Sequence, residues 1–228
     1  MMGPGTFGRT LADTTRRSSL RVLASTLIPR QPPMVSRPRW LTLALLAGLP
    51  FCGAAAAQAP DATRSIVTTI DLKTCNILKR DNDGPAWRCA GLAGYPVYIA
   101  ERDDRYFFSA GLKPETRRAS QQTLRAANTF FPAATTRATV EWRVPRTSRR
   151  AIPYATIIRY YTSSETASGQ VLVVSKVSPD QTCQVALIDA VANPDAIERA
   201  RQIADTVARE FDCSKPPTVE GTAGKSPM

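Results

Sequence analysis

Four cysteines, Cys75, Cys89, Cys183 and Cys213, fall as two pairs 14 and 30 positions apart, and all four follow a stretch with the form of an export signal. From Met34 to Ala59 the chain is first basic (Arg37, Arg39), then apolar (Trp40 to Cys52), then small, ending Ala57-Gln58-Ala59 where an exported chain would be cut. Export places the cysteines in an oxidising compartment, where disulfides are their expected state. Of the three pairings that four cysteines allow, Cys75 with Cys89 and Cys183 with Cys213 are expected, because each is nearest in sequence and brackets one structural unit. In the loop-entropy model each bridge stabilises the fold by roughly 3–4 kcal/mol. Zinc is the alternative use of cysteine, but there are no CxxC-like clusters and no histidine partners.

The apolar run from Trp40 to Cys52 is 13 residues long and is broken by Gly48 and Pro50. A bilayer span takes roughly 20. A cleaved signal is therefore expected, with no transmembrane span after cleavage. Lipidation of Cys52 is disfavoured, because Pro50 and Phe51 stand where lipoprotein signals carry small residues. Residues 1–33 are polar, with five arginines against Asp13, and Thr15-Arg16-Arg17 is only faintly like a twin-arginine signal because the apolar region begins more than 20 residues later. Those residues are read as an unstructured or spurious leader, with Met34 as the start.

This reading also revises the charge. The chain has 30 basic and 19 acidic residues, a net +11; removing the seven arginines and one acid before residue 60 leaves 23 and 18, a net +5. That value suits a soluble periplasmic or secreted protein and does not point to nucleic acid.

Residues 60–213 are expected to form a single α+β domain, and residues 214–228, with three prolines and two glycines, a disordered tail. Ser65 to Leu72 is a β-branched run. Tyr95 to Ala100 and Arg105 to Ser109 flank an acidic turn, a hairpin signature. Helix formers run from Pro114 to about Ala127, although only weakly amphipathic. From Thr139 to Val144 the period is two, with Val140, Trp142 and Val144 on one face and Glu141 and Arg143 on the other. Tyr154 to Thr162, Gly169 to Val177 and Thr182 to Asp189 continue the strands, and the apolar run Val171 to Val174 is expected to be covered on both faces. Asn193-Pro194-Asp195 then opens a helix whose stripe is Ile197, Ala200, Ala204, Val207 and Phe211. The expected architecture is one antiparallel sheet with an inserted helix, and a C-terminal helix packed on one face.

Chemically, the chain contains no histidine. This removes Ser-His-Asp and Cys-His nucleophilic sites and the commonest general base near neutral pH. No metal or cofactor motif occurs. A pair of carboxylates across a cleft, as glycan hydrolysis requires, is the enzymatic alternative. Its candidate acids have simpler roles: Glu101, Asp103 and Asp104 in a solvated turn, Glu141 in an exposed ion pair with Arg143, and Asp189 at a turn or cap.

The strongest positive feature is a set of arginines: Arg137, Arg143, Arg146, Arg149 and Arg150 within 14 residues, with Arg159 on the next strand. Converging guanidinium groups could bind phosphate or carboxylate. A solvated arginine-rich loop is the plainer alternative. The aromatics Tyr95, Tyr98, Tyr106, Phe107, Phe108, Trp142, Tyr154, Tyr160 and Tyr161 fall on the expected strands, where core packing is the simpler role and sugar or protein contact the other.

Several segments together, among them Trp87-Arg88-Cys89, Gly94-Tyr95-Pro96-Val97-Tyr98, Trp142-Arg143, Tyr154 to Tyr160, Gly169 to Val174 and Asp189 to Asp195, carry a family likeness. From about Ile70 to Cys213 the chain resembles a group of small secreted α-proteobacterial proteins. The resemblance implies export and one shared fold, and it brings no catalytic residue with it. The expected function is a non-enzymatic binding or envelope-associated module, its partner an anionic envelope component or a periplasmic protein. A carboxylate-dependent cell-wall glycan hydrolase and an inhibitor of a periplasmic enzyme are the alternatives.

Overall fold

The computed structural model describes residues 62–81, 84–147 and 149–228. The expected leader, the expected signal peptide and Cys52 lie outside the described residues. The strands are β1 (Thr63–Asp71), β2 (Asn76–Asp81), β3 (Gly84–Leu92), β4 (Tyr95–Arg102), β5 (Arg105–Ala110), β6 (Ala127–Thr129), β7 (Arg137–Pro145), β8 (Ala155–Ser163), β9 (Ser168–Val177), β10 (Thr182–Asp189) and β11 (Thr218–Glu220), with helix α1 (Ala196–Thr206) before the last.

This overturns the expected α+β class. Of the described residues 48% are strand and 13% helical, and the 11 strands among them form one mixed sheet in which β5–β6 and β10–β11 pair in parallel. The expected helix from Pro114 is two short 3-10 turns, Pro114–Thr116 and Arg118–Gln121. Local polar groups explain the difference: the Ser120 hydroxyl turns back onto the carbonyls of Glu115 and Arg117, and Lys113 enters with φ +51°. Such side-chain-to-backbone bonds compete with the α-helical ladder, and the weak apolar stripe offers no packing to outweigh them.

The sheet forks at β8. One edge of β8 pairs with β9 along its length, while the other pairs with β7 through Ala155–Ile158 and with β6 through Tyr161–Ser163. From the fork, β1–β7 forms one arm and β6–β5–β4–β3–β2 the other, and β1 lies against β3. Between the arms is the main core, with Val97, Ile99, Phe108, Phe130, Val140, Trp142, Ile158 and Tyr160 fully or almost fully buried. Trp142 Nε1 donates to Thr68 Oγ1 at 2.7 Å, so its polar edge is satisfied inside that core. The β4–β5 hairpin turns at Asp103 and Asp104, whose φ values of 51° and 58° are the left-handed pair that a two-residue hairpin requires.

A second core lies on the opposite face of β8–β10, under α1. Ala196, Ala200, Ala204 and Ala208 meet Ile157, Leu172, Val174 and Ile188 there. Small side chains at every fourth position bring the helix close to the sheet. The buried stripe is thus rotated from the expected one; Val207 is exposed, and Ile197 and Phe211 lie at the core margin. Val171 and Val173 face one core and Leu172 and Val174 the other, so this strand is covered on both faces. Both expected bridges are present: Cys75–Cys89 ties the start of β2 to β3, and Cys183–Cys213 ties β10 to the chain beyond α1.

The segment 214–228 is not a disordered tail. Its β11 adds to β10, and the chain then returns over buried Asp189. Asp189 Oδ2 accepts from the backbone N–H of Lys225 and Ser226, both at 2.8 Å, while Oδ1 accepts from Val191, Ala192 and the Ser226 hydroxyl. Burial alone would raise this carboxyl, but the Ser226 hydroxyl and these backbone donors hold it at about 2. Gly169 is required here, since an added Cβ would stand 2.4 Å from that of Ser226. Asn193, the first residue of the Asn193-Pro194-Asp195 run, links Asp189 O to Thr222, and Asp195 takes the cap position.

Candidate functional site

The period of two in β7 sends Arg137, Thr139, Glu141 and Arg143 to the face opposite the main core. Antiparallel register sets Asp71, Thr69, Val67 and Ser65 of β1 beside them, with Ile157 and Ala155 of β8 opposite Glu141 and Arg143. Arg159 and Tyr161 continue that face along β8. Helix α1 covers one end of this face and leaves the other open.

At the covered end, Arg143 grips Asp205 of α1 with two parallel bonds, its Nε 2.9 Å from Oδ1. Its Nη1 donates to the Ser65 hydroxyl, which in turn donates to Glu141. Arg201 of α1 holds both oxygens of Glu141, at 2.8 and 3.1 Å. Tyr154 adds its hydroxyl to Asp205 at 2.6 Å while Arg209 lies over its ring. Burial would raise the Glu141 carboxyl, but Arg201, Ser65 and Arg143 hold it below the usual carboxylate range. The expected exposed Glu141–Arg143 pair is therefore a buried clamp between helix and sheet; the side chains are 10% and 7% exposed.

The six arginines expected to gather do not converge. Arg143 is committed to the clamp. Arg146 donates to the Thr63 carbonyl at 3.0 Å, and Arg149 and Arg150 are exposed on the connection before β8. Arg159 lies apart from them, on the open end, with Arg137. Most of the aromatics are structural: Phe108, Trp142 and Tyr160 are core, and Tyr106, Phe130 and Phe131 pack edge to face. Tyr161 is the one on the open end.

Two adjoining clefts of about 160 and 180 Å³ lie on that end, and both are walled by Thr139 and Arg159. The first runs into the fork of the sheet, with Thr69, Arg137 and Tyr161 on its rim and Phe130 and Pro132 behind. The second reaches Val67, Ile157 and Ile197 at the edge of α1, with Glu141 on one wall. Arg137 is held by Asp71 at 2.9 Å with its side chain 73% exposed, and Arg159 Nη1 donates to Gln170 Oε1 at 2.7 Å. Asp71 is lowered by its bonds from Arg137, Lys73 and Thr136. The site thus presents two oriented guanidinium groups among three hydroxyls, a set suited to phosphate, carboxylate or sugar acid. Thr69 and Tyr161 are brought in by strand register. Thr139 was within reach of the sequence pattern, two positions from Arg137 on the same face.

Elsewhere, Arg117 and Arg118 border a cleft of about 330 Å³, but both are tied to the carbonyls of Pro179, Asp180, Leu112 and Ser214. The candidate acids do not meet: Glu101 accepts from Tyr106 at 2.9 Å, Asp103 pairs with Arg105, Glu141 is clamped and Asp189 is saturated. Among the described residues no group of three or more Cys, Asp or Glu is placed to hold a metal, and no helix is long and apolar enough to cross a membrane. Comparison with known families, with curated proteins and with solved structures returned no match.

Proposed function

We propose that this is an exported, non-enzymatic binding protein of the cell envelope that holds an anionic glycan or phosphate group on the open end of its outer sheet face. The observation that carries this reading is the sharing of Arg159 and Thr139 by two adjoining clefts, with Arg137 at the far rim. Of the acids nearby, Glu141 is engaged by Arg201 and Arg143, and Asp71 orients Arg137 by pairing with it, so the positive charge of the surface rests chiefly on Arg159, whose bond is to neutral Gln170. The clefts are shallow and below the roughly 300–1,000 Å³ usual for a buried small molecule. They suit one charged unit of a larger polymer. Two disulfides support an oxidising compartment, and the likeness to small secreted α-proteobacterial proteins is in keeping with export. A glycan hydrolase would need two carboxylates facing each other across a cleft, and none of these clefts has two acids on its walls.

The test is retention on an immobilised anionic envelope polysaccharide at low salt. The protein should be retained and released as salt rises, and the Arg137→Ala/Arg159→Ala double variant should lose at least ten-fold in affinity. A neutral polysaccharide should retain neither. Equal retention of the double variant would overturn the assignment.

A further inference from the structure

The largest of the clefts described lies away from the arginine site and has a different chemistry. It encloses about 720 Å³, within the range of small-molecule sites, between β5, the loop after the 3-10 turns, β10 and the returning C-terminal segment. Leu124 and Leu187 form its floor, and Phe107, Pro217 and Val219 its walls. The polar groups on that floor satisfy one another: Gln122 Oε1 accepts from the Gln184 N–H at 2.8 Å, and Gln184 Nε2 donates to the Gln122 carbonyl.

Two charged side chains remain, both positive. Arg125 is exposed and makes no hydrogen bond or ion pair among the described residues, and Arg105 has only a 3.3 Å contact with Asp103, itself 84% exposed. No acidic side chain lines the cleft, which Met228 also borders. Its far wall is also fixed in place. Cys213 is bridged to β10, β11 pairs with Ala186–Ile188, and Pro216-Pro217 between them is stiff, so the wall cannot fold down onto Phe107. The cleft is therefore preformed, apolar inside and cationic at the rim.

We infer that this cleft binds a free single-chain anionic amphiphile, its apolar chain along Leu187 and Phe107 and its carboxylate or phosphate at Arg105 and Arg125. Apolar burial supplies the affinity, and the guanidinium pair selects the sign of the head group. This site is independent of the proposed glycan surface.

Titration calorimetry on the whole protein with dodecanoate, kept below its micellar concentration, tests it. Saturable binding of one dodecanoate per chain is expected, with dodecyltrimethylammonium, of the same chain and opposite charge, at least ten-fold weaker. Arg105→Ala/Arg125→Ala should weaken dodecanoate at least ten-fold with an unchanged melting temperature, and Arg137→Ala/Arg159→Ala should bind it as the parent does. Absence of saturable binding, equal binding of the two amphiphiles, or an unaffected Arg105/Arg125 variant would each overturn the site. Binding that appears only with phospholipid vesicles would also overturn it, since that would make the occupant a membrane surface.

Discussion

The two ends of the outer sheet face are built from the same strands and the same kinds of residue, yet their arginines do opposite work. Under α1, Arg143 is 7% exposed and locked between Asp205, Ser65 and Glu141. Four to six positions away along β7, Thr139 and Arg137 stand in the open. What separates them is the helix. Where it covers the sheet, a charge must be matched in place or the fold loses stability; where it stops, a charge is left to meet something from solution.

The largest effect should come from breaking the covered end. Arg143→Met leaves Asp205 with no cationic partner and only the Tyr154 hydroxyl, while Glu141 keeps Arg201, and should cost about 3–5 kcal/mol in urea unfolding. A smaller cost, under about 1 kcal/mol, would mean that water reaches the clamp and that the two ends differ less than their burial indicates. Next comes the tether that holds the trailing side of α1: replacing Cys183 and Cys213 by Ser should cost about 2–4 kcal/mol and lower the melting temperature.

Acid sharpens the contrast further. Glu141 and Asp189 are both held below the usual carboxylate range, so their contribution is present above the unfolded-state values of about 4 and is lost as the pH falls below them, for Asp189 through about 2. Stability measured from pH 5 to pH 2 should fall in the parent, and Glu141→Gln should flatten part of that slope while lowering stability at neutral pH. A slope unchanged by Glu141→Gln would remove Glu141 from the acid response. The smallest effect belongs to the open end, where Arg137→Ala and Arg159→Ala should each shift unfolding by less than about 0.5 kcal/mol. A loss above about 1.5 kcal/mol in either would make it structural and undercut the proposed binding surface.

Legibility in the sequence followed the range of the interactions. The alternation Val140-Trp142-Val144, the limits of β10 and both disulfide pairs were readable because each rests on local period or nearest spacing. Strands β2 and β3 were not, since Lys79, Arg80, Gly84, Pro85 and Arg88 break any alternation and are tolerated toward the edge of the sheet. The C-terminal segment looked disordered because its anchor is a single buried carboxylate some 35 positions earlier, which composition does not register. For the candidate site, Arg159 was named, but its separation from Arg143 depends on where α1 ends. That boundary is decided by alanines meeting the sheet, not by charge.

The return of the chain over Asp189 has a practical consequence for anyone who shortens this protein. Removing residues 216–228 would strip Asp189 of Lys225 N, Ser226 N and the Ser226 hydroxyl, and would leave one edge of β10 without its neighbour. A bare strand edge is a template for pairing between molecules. The trimmed protein would therefore tend to clump, and a soluble preparation depends on keeping a stretch that composition alone would mark for deletion.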